Sequence, residues 1–196
     1  MLEIIHKIQS LDIYINTHIS LFHGRVLNSV MLFITNLISV EFVCFLFFLL
    51  LIALEKKSDV VYFMCGSFVT IMINLIIKLI VHRARPDGIV LAIESGYSFP
   101  SAHAMLSTFI YGFISYLIYI NRNAKKRAKI DVFLFVTLVI LIGFSRIYIG
   151  VHYFSDVICG AVLGLICLLL FIKYVYKPKL LHRFFRKDVD DGGEWC

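Results

Sequence analysis

Long apolar runs limit the fold of this chain more than any other feature. A stretch of ~20 mainly apolar residues is long enough to cross a bilayer as a helix. Five such stretches stand at about 39–54, 59–81, 102–120, 130–149 and 154–176, the first of them rather short. Within lipid the backbone must satisfy its own hydrogen bonds, so each run reads as a helix. The expected fold is all-α: an integral membrane helical bundle of about five transmembrane helices with an N-terminal interfacial helix. With 60% hydrophobic and 16% charged residues, the composition agrees. A chain of 196 residues leaves no room for a second sizeable core. The expected organisation is a single domain: an interfacial N-terminal segment 1–38, a transmembrane core 39–176 and a cytoplasmic tail 177–196.

Net charge is +6. In a soluble chain that excess would suggest nucleic acid. Here the basic residues cluster between the spans, which the positive-inside rule explains without a nucleic-acid partner. Lys56 and Lys57 follow the first span; Arg122, Lys125, Lys126, Arg127 and Lys129 follow the third; Lys177, Lys179, Arg183, Arg186 and Lys187 follow the fifth. With five spans these clusters fall on one side, the cytoplasm. The N-terminus and the loops 83–101 and 147–153 then face outside a cell membrane that the chain crosses several times. The five cysteines form no CxxC pair and read as small apolar residues. Residues 1–20 lack the basic region and continuous apolar core of a cleavable signal peptide.

Three polar islands fall on the outer side. In "KLIVHRARP", residues 78–86, Lys78 and Arg85 stand seven apart, nearly two helical turns, so a persisting helix aims both to one side. Basic side chains snorkelling to the interface would give the same pattern, and Arg83 fits that reading better. In "FPSAH", residues 99–103, Pro100 and Ser101 stand where a helix begins. Its free N–H groups, the Ala102 amide among them, and the Ser101 hydroxyl suit an anion, with His103 in the first turn beside it. An ordinary N-cap serine with an unrelated histidine reads the same way. In "SRIYIGVHYFSD", residues 145–156, His152 and Asp156 are four apart, on one face if helical, with Arg146 brought close by a bend at Gly150. A structural His–Asp pair at a helix start is the alternative.

Taken together, Lys78, Arg85 and Arg146 supply three cations and Ser101 supplies neutral donors, a set suited to an anion with several oxygens. A histidine oriented by a carboxylate serves as nucleophile and a second histidine protonates the leaving oxygen, the equipment for phosphoryl transfer through phosphohistidine. His103, His152 and Asp156 also have zinc-ligand chemistry, but three neighbouring cations would repel Zn²⁺. No metal and no cofactor is expected.

On these residues the chain resembles the type 2 phosphatidate phosphatase superfamily of integral membrane lipid phosphatases, whose pattern is K-x6-RP, then PSGH, then SR-x5-H-x3-D. Lys78, Arg85 and Pro86 match the first part; Pro100, Ser101 and His103 the second, with Ala102 in place of glycine; Ser145, Arg146, His152 and Asp156 the third. The resemblance implies that His152 attacks phosphorus, oriented by Asp156, that His103 is the general acid, and that Lys78, Arg85, Ser101, the Ala102 amide and Arg146 hold the phosphate. Many bacterial members have a six-span layout, against five expected here. Soluble acid phosphatases and vanadium haloperoxidases have the same site, and the apolar spans argue against those branches. The expected activity is metal-independent dephosphorylation of a membrane lipid phosphate or diphosphate, undecaprenyl diphosphate first, with phosphatidylglycerophosphate or phosphatidate as alternatives. A lipid-phosphate binder or transporter would need the cations without His152 and Asp156 in register. Sequence fixes no oligomeric state.

Overall fold

The computed structural model describes residues 2–37, 49, 57–121 and 125–177. The expected span at about 39–54 and the tail beyond 177 lie outside the described residues, Leu49 and the first tail residue apart. Six α-helices are described: α1 (Leu2–Ser20), α2 (Arg25–Leu37), α3 (Lys57–Val81), α4 (Ala102–Asn121), α5 (Lys125–Tyr148) and α6 (Phe154–Leu170), the last running into a π-helical turn over Phe171–Val175. No strand occurs among the described residues. Four helical stretches are long and apolar enough to cross a membrane: Ser58–Val81, Ala102–Ile120, Ile130–Tyr148 and Phe154–Val175. The chain is thus an all-α, multi-pass membrane bundle, with four of the expected spans in place.

α4 is the central helix, packed on α3, α5 and α6. Its buried aromatic face (Phe109, Tyr111, Phe113) meets Tyr62 and Phe63 of α3, Ile142 of α5 and Leu168 and Phe171 at the end of α6. The outward faces carry exposed Phe68 and Leu79 on α3, Phe133 on α5 and Leu169 on α6. Such apolar exposure is costly in water and suits lipid. Of the described cysteines, Cys65 is exposed and Cys159 and Cys167 are half-buried, and all three are free thiols.

α4 and α6 approach unusually closely because α6 presents Gly160 and Gly164. A Cβ at Gly160 would lie 2.6 Å from the Ser101 carbonyl oxygen, and one at Gly164 would meet the Met105 carbonyl oxygen. The GxxxG spacing therefore serves close helix packing.

The up-and-down order brings the end of α3, the loop 82–101, the start of α4 and the turn 149–153 to one end of the bundle. α3 stops where His82 adopts a left-handed φ of 51°, its N–H still reaching the Lys78 carbonyl at 3.1 Å. The loop is pinned to the turn by a 3.0 Å bond from Leu91 N–H to the Ile149 carbonyl. There Gly150, at φ 80°, lets the main chain of Ile89 and Val90 pass where a side chain would sit, so the expected bend is present.

Residues 2–37 form two helices that pack on the bundle. α1 packs on α5 and α6, and α2 packs on α5. Much of α1 is exposed, and among its described side chains Asp12 alone is fully buried.

Candidate active site

The three polar islands meet at this end of the bundle. Arg85 lies beyond the end of α3, so it reaches the others along the loop and not, as the spacing suggests, on a continued helical face. Its guanidinium donates to three carbonyls, from Nε to Gly96 at 3.0 Å and from Nη1 and Nη2 to Val151 and Ser95 at 2.9 Å each. The Val151 bond fastens the first island to the third, one residue before His152. Lys78, on the last turn of α3, donates to the Tyr97 carbonyl at 2.6 Å. Its electrostatic neighbours are Arg85, Arg146 and Asp156.

Ser101 stands one residue before α4, wholly buried. Its N–H donates to the Asp156 carbonyl at 3.1 Å, and its carbonyl accepts the Met105 N–H at 3.0 Å. Its Oγ is buried and meets no hydrogen-bond partner among the described residues. Ala102 is the first residue of α4 and does not have positive φ, so alanine fits there without strain. His103 follows in the first turn, half-buried.

His152 and Asp156 are both buried but not both helical. His152 occupies the turn before α6, while Asp156 is the third residue of that helix. Asp156 Oδ2 accepts the Tyr153 N–H at 3.0 Å, closing the helix start, and lies 3.7 Å from His152 Nδ1. That is longer than a hydrogen bond, and His152 Nδ1 has no hydrogen-bond partner among the described residues. Burial, with the positive charges of Arg146 and Arg85, pulls His152 down from 6.5 to about 4, against the opposing effect of Asp156. The imidazole is neutral at physiological pH, as a nucleophile requires.

Five partners of this site were not expected: Arg83, Asp12, Ser98, Thr35 and Glu94. Arg83, read as a snorkelling residue, instead donates to Asp156 Oδ1 at 2.5 Å through Nη1 and to Asp12 Oδ2 at 2.7 Å through Nη2. Ser98 donates to Asp156 Oδ2. Thr35 of α2 accepts from Arg146 Nη1 at 2.8 Å. Glu94 pairs with Arg146 and, at 3.3 Å, with Arg85, so one carboxylate occupies both guanidiniums. The helical spacing of Asp12 with Ile15 and Ile19, which pack inward, was the available signal for Asp12; loop residues Glu94 and Ser98 give none.

Among the described residues, no three His, Cys, Asp or Glu side chains group at metal-ligand spacing. Cations and neutral donors around a buried neutral imidazole suit a multiply charged oxyanion. Beside them, an apolar cavity of about 350 Å³ is lined by Ile15, Ile19, Ala104, Ile147 and Val157, direct chain neighbours of His103, Arg146 and Asp156 among them.

Residues 58–179 match the sequence model of the PAP2 superfamily. The chain is 35% identical over 117 residues to Phosphatidylglycerophosphatase B of Bacillus subtilis (strain 168), covering 59% of this chain and 56% of the relative. It is 38% identical over 103 residues to Decaprenylphosphoryl-5-phosphoribose phosphatase of Mycobacterium tuberculosis, covering 50% and 51%. The matches thus span about half the length of these relatives. In three dimensions the chain is similar to the transmembrane PAP2 type phosphatidylglycerolphosphate phosphatase from Bacillus subtilis, with TM-score 0.78, 28% identity and coverage of 87% of this chain and 89% of the other. Aquifex aeolicus LpxE shares the fold at TM-score 0.68 and 24% identity, covering 84% and 96%.

Proposed function

The chain belongs to the PAP2 superfamily, and on that premise we propose that it hydrolyses a membrane lipid phosphate or diphosphate, without a metal, through a phosphohistidine at His152. The observation that carries the reading is the buried, neutral imidazole of His152 in the field of Arg85 and Arg146, with Asp156 3.7 Å away. In the proposed cycle the free ring nitrogen of His152 attacks phosphorus and the bond to the leaving oxygen breaks. His103 gives that oxygen a proton. Asp156 stabilises the charge that develops on the ring, and Lys78, Arg85, Arg146, Ser101 Oγ and the Ala102 amide hold the phosphoryl oxygens. Water, deprotonated by His103, then cleaves the P–N bond and releases phosphate.

The adjoining apolar cavity supports an amphiphilic substrate whose tail stays in the bilayer. Two relatives, Decaprenylphosphoryl-5-phosphoribose phosphatase and Dolichyldiphosphatase 1, are named for decaprenyl- and dolichyl-linked phosphates. They support undecaprenyl diphosphate as the first substrate of choice. Phosphatidylglycerophosphate is the second reading, supported by the Bacillus relatives. The basic clusters support a five-span layout, counting the stretch at about 39–54, with the site outside and the C-terminus in the cytoplasm.

Phosphate release from a panel of lipid phosphates by the purified protein tests the activity and ranks the substrates. His152→Ala is expected to reduce release by at least ~10²-fold, the lower range for such a group. Unchanged turnover would refute the phosphohistidine route, and no release from any lipid would refute the phosphatase reading.

A further inference from the structure

α1 contributes a carboxylate to the interior of the bundle, and a helix that only lay on the interface would not bury one. Asp12 is 1% exposed. Its Oδ1 accepts the Ser155 N–H at 2.9 Å, and its Oδ2 accepts the Ser155 hydroxyl at 2.5 Å and Arg83 Nη2 at 2.7 Å. Arg83 Nη1 reaches the Ser155 hydroxyl at 2.7 Å and Asp156 Oδ1 at 2.5 Å. One guanidinium is therefore shared by two buried carboxylates, with its Cζ 4.2 Å from the Tyr153 ring centroid. Two carboxylates on one guanidinium leave the cluster one negative charge in excess, beside the ring of His152.

We propose that Asp12 and Arg83 are positioning residues for the reaction: Asp12 neutralises and aims Arg83, and Arg83 fixes the Asp156 carboxylate against His152. The inference rests on the phosphohistidine reading above. The chemistry lies in the sharing. When phosphoryl transfer makes the His152 ring cationic, Asp156 must offer it negative charge. An Arg83 without Asp12 would direct its full positive charge onto Asp156 and draw the carboxylate away from the ring. With Asp12 present, the Arg83 charge is divided, Asp156 keeps its own, and its second oxygen stays fixed by Ser98 and the Tyr153 N–H. Burial opposes the charge on Arg83, yet the two aspartates raise its pKa above the ordinary arginine value. α1 is thus part of the catalytic unit. Its Asn16 amide also reaches the His152 carbonyl, at 3.5 Å.

The test uses the full-length chain in detergent or liposomes with the best lipid from the panel. Asp12→Asn is expected to lower kcat by ~10- to 10²-fold, the cost of a small misplacement of a reacting group. KM and the affinity for inorganic phosphate should stay within about twofold, because the phosphate-holding cations are untouched. Arg83→Gln should behave alike, Arg83→Lys should recover part of the loss, and Asp12→Asn added to Arg83→Gln should cost nothing further. Melting temperatures identify variants that unfold; if Asp12→Asn does, Ser155→Ala, which removes the bridging hydroxyl, takes its place under the same criteria. An unchanged kcat, or losses that multiply in the double variant, overturns the proposal. Failure of the wild type on every lipid sinks the phosphatase reading instead, so the two failures are distinct.

Discussion

The depressed pKa of His152 has a consequence for stability that involves no substrate. His152 is 1% exposed, and its pKa falls from 6.5 to about 4 on folding. The unfolded chain therefore binds one more proton than the folded chain between those values. Stability is full above pH 6.5, declines as pH falls through the window, and levels below pH 4, where both states are protonated. At 1.36 kcal/mol per pH unit the total is on the order of 3 kcal/mol. At pH 5.5 an ordinary histidine would be ~90% protonated, whereas one with a pKa of about 4 is only ~3% protonated. Replacing His152 with Gln removes the titration. The difference in unfolding free energy between wild type and His152→Gln should change by about 3 kcal/mol between pH 7 and pH 4, to the disadvantage of the wild type. Denaturant unfolding in a fixed detergent, followed by circular dichroism at half-unit pH steps, measures it. A difference that stays flat across the window would refute a buried neutral imidazole, and with it the view that His152 is ready to attack at neutral pH.

Two further outcomes follow from the same geometry. Glu94→Gln removes the carboxylate that pairs with Arg85 and Arg146. At about 1 kcal/mol for the released pairing, KM for the lipid phosphate should fall ~5-fold with no gain in kcat; an unchanged or higher KM would contradict it. Ala102→Gly restores the residue usual in the resembled family, but Ala102 is already helical. Thermal unfolding should show a loss of up to ~1 kcal/mol with kcat within twofold, and a clear rise in activity would mean that alanine strains the loop.

Much of the site was legible because its chemistry is carried by residue type and spacing. Ser101 and Ala102 stand at a helix start as the proline and serine indicate, and Arg146, His152 and Asp156 meet around the bend at Gly150. The spacing misled where it was read as helix throughout. Lys78 and Arg85 converge although α3 ends at Val81, and His152 lies in a turn, with only Asp156 in α6. Arg83 is the clearest case: in sequence it is one more basic residue near a span end. Its two carboxylate partners lie 71 and 73 residues away, a pairing that only the tertiary fold specifies. Glu94 sits in a loop without periodicity, so nothing in its neighbours marks it. The four described spans were visible because apolar length alone signals a membrane helix.

The glycine contacts between α6 and α4 bear on how this protein meets its lipid surroundings. At Gly160 the main chain of α6 rests directly on the Ser101 carbonyl. Ser101 in turn donates its N–H to the Asp156 carbonyl. The two halves of the site are therefore joined backbone to backbone, with no rotatable side chain as a spacer between them. A thicker or thinner bilayer changes helix tilt at modest cost. It would tip this pair as one body and leave the reach from Ser101 to His152 unaltered. Membrane composition is then expected to act on how readily a substrate arrives and not on the spacing between the two halves of the site.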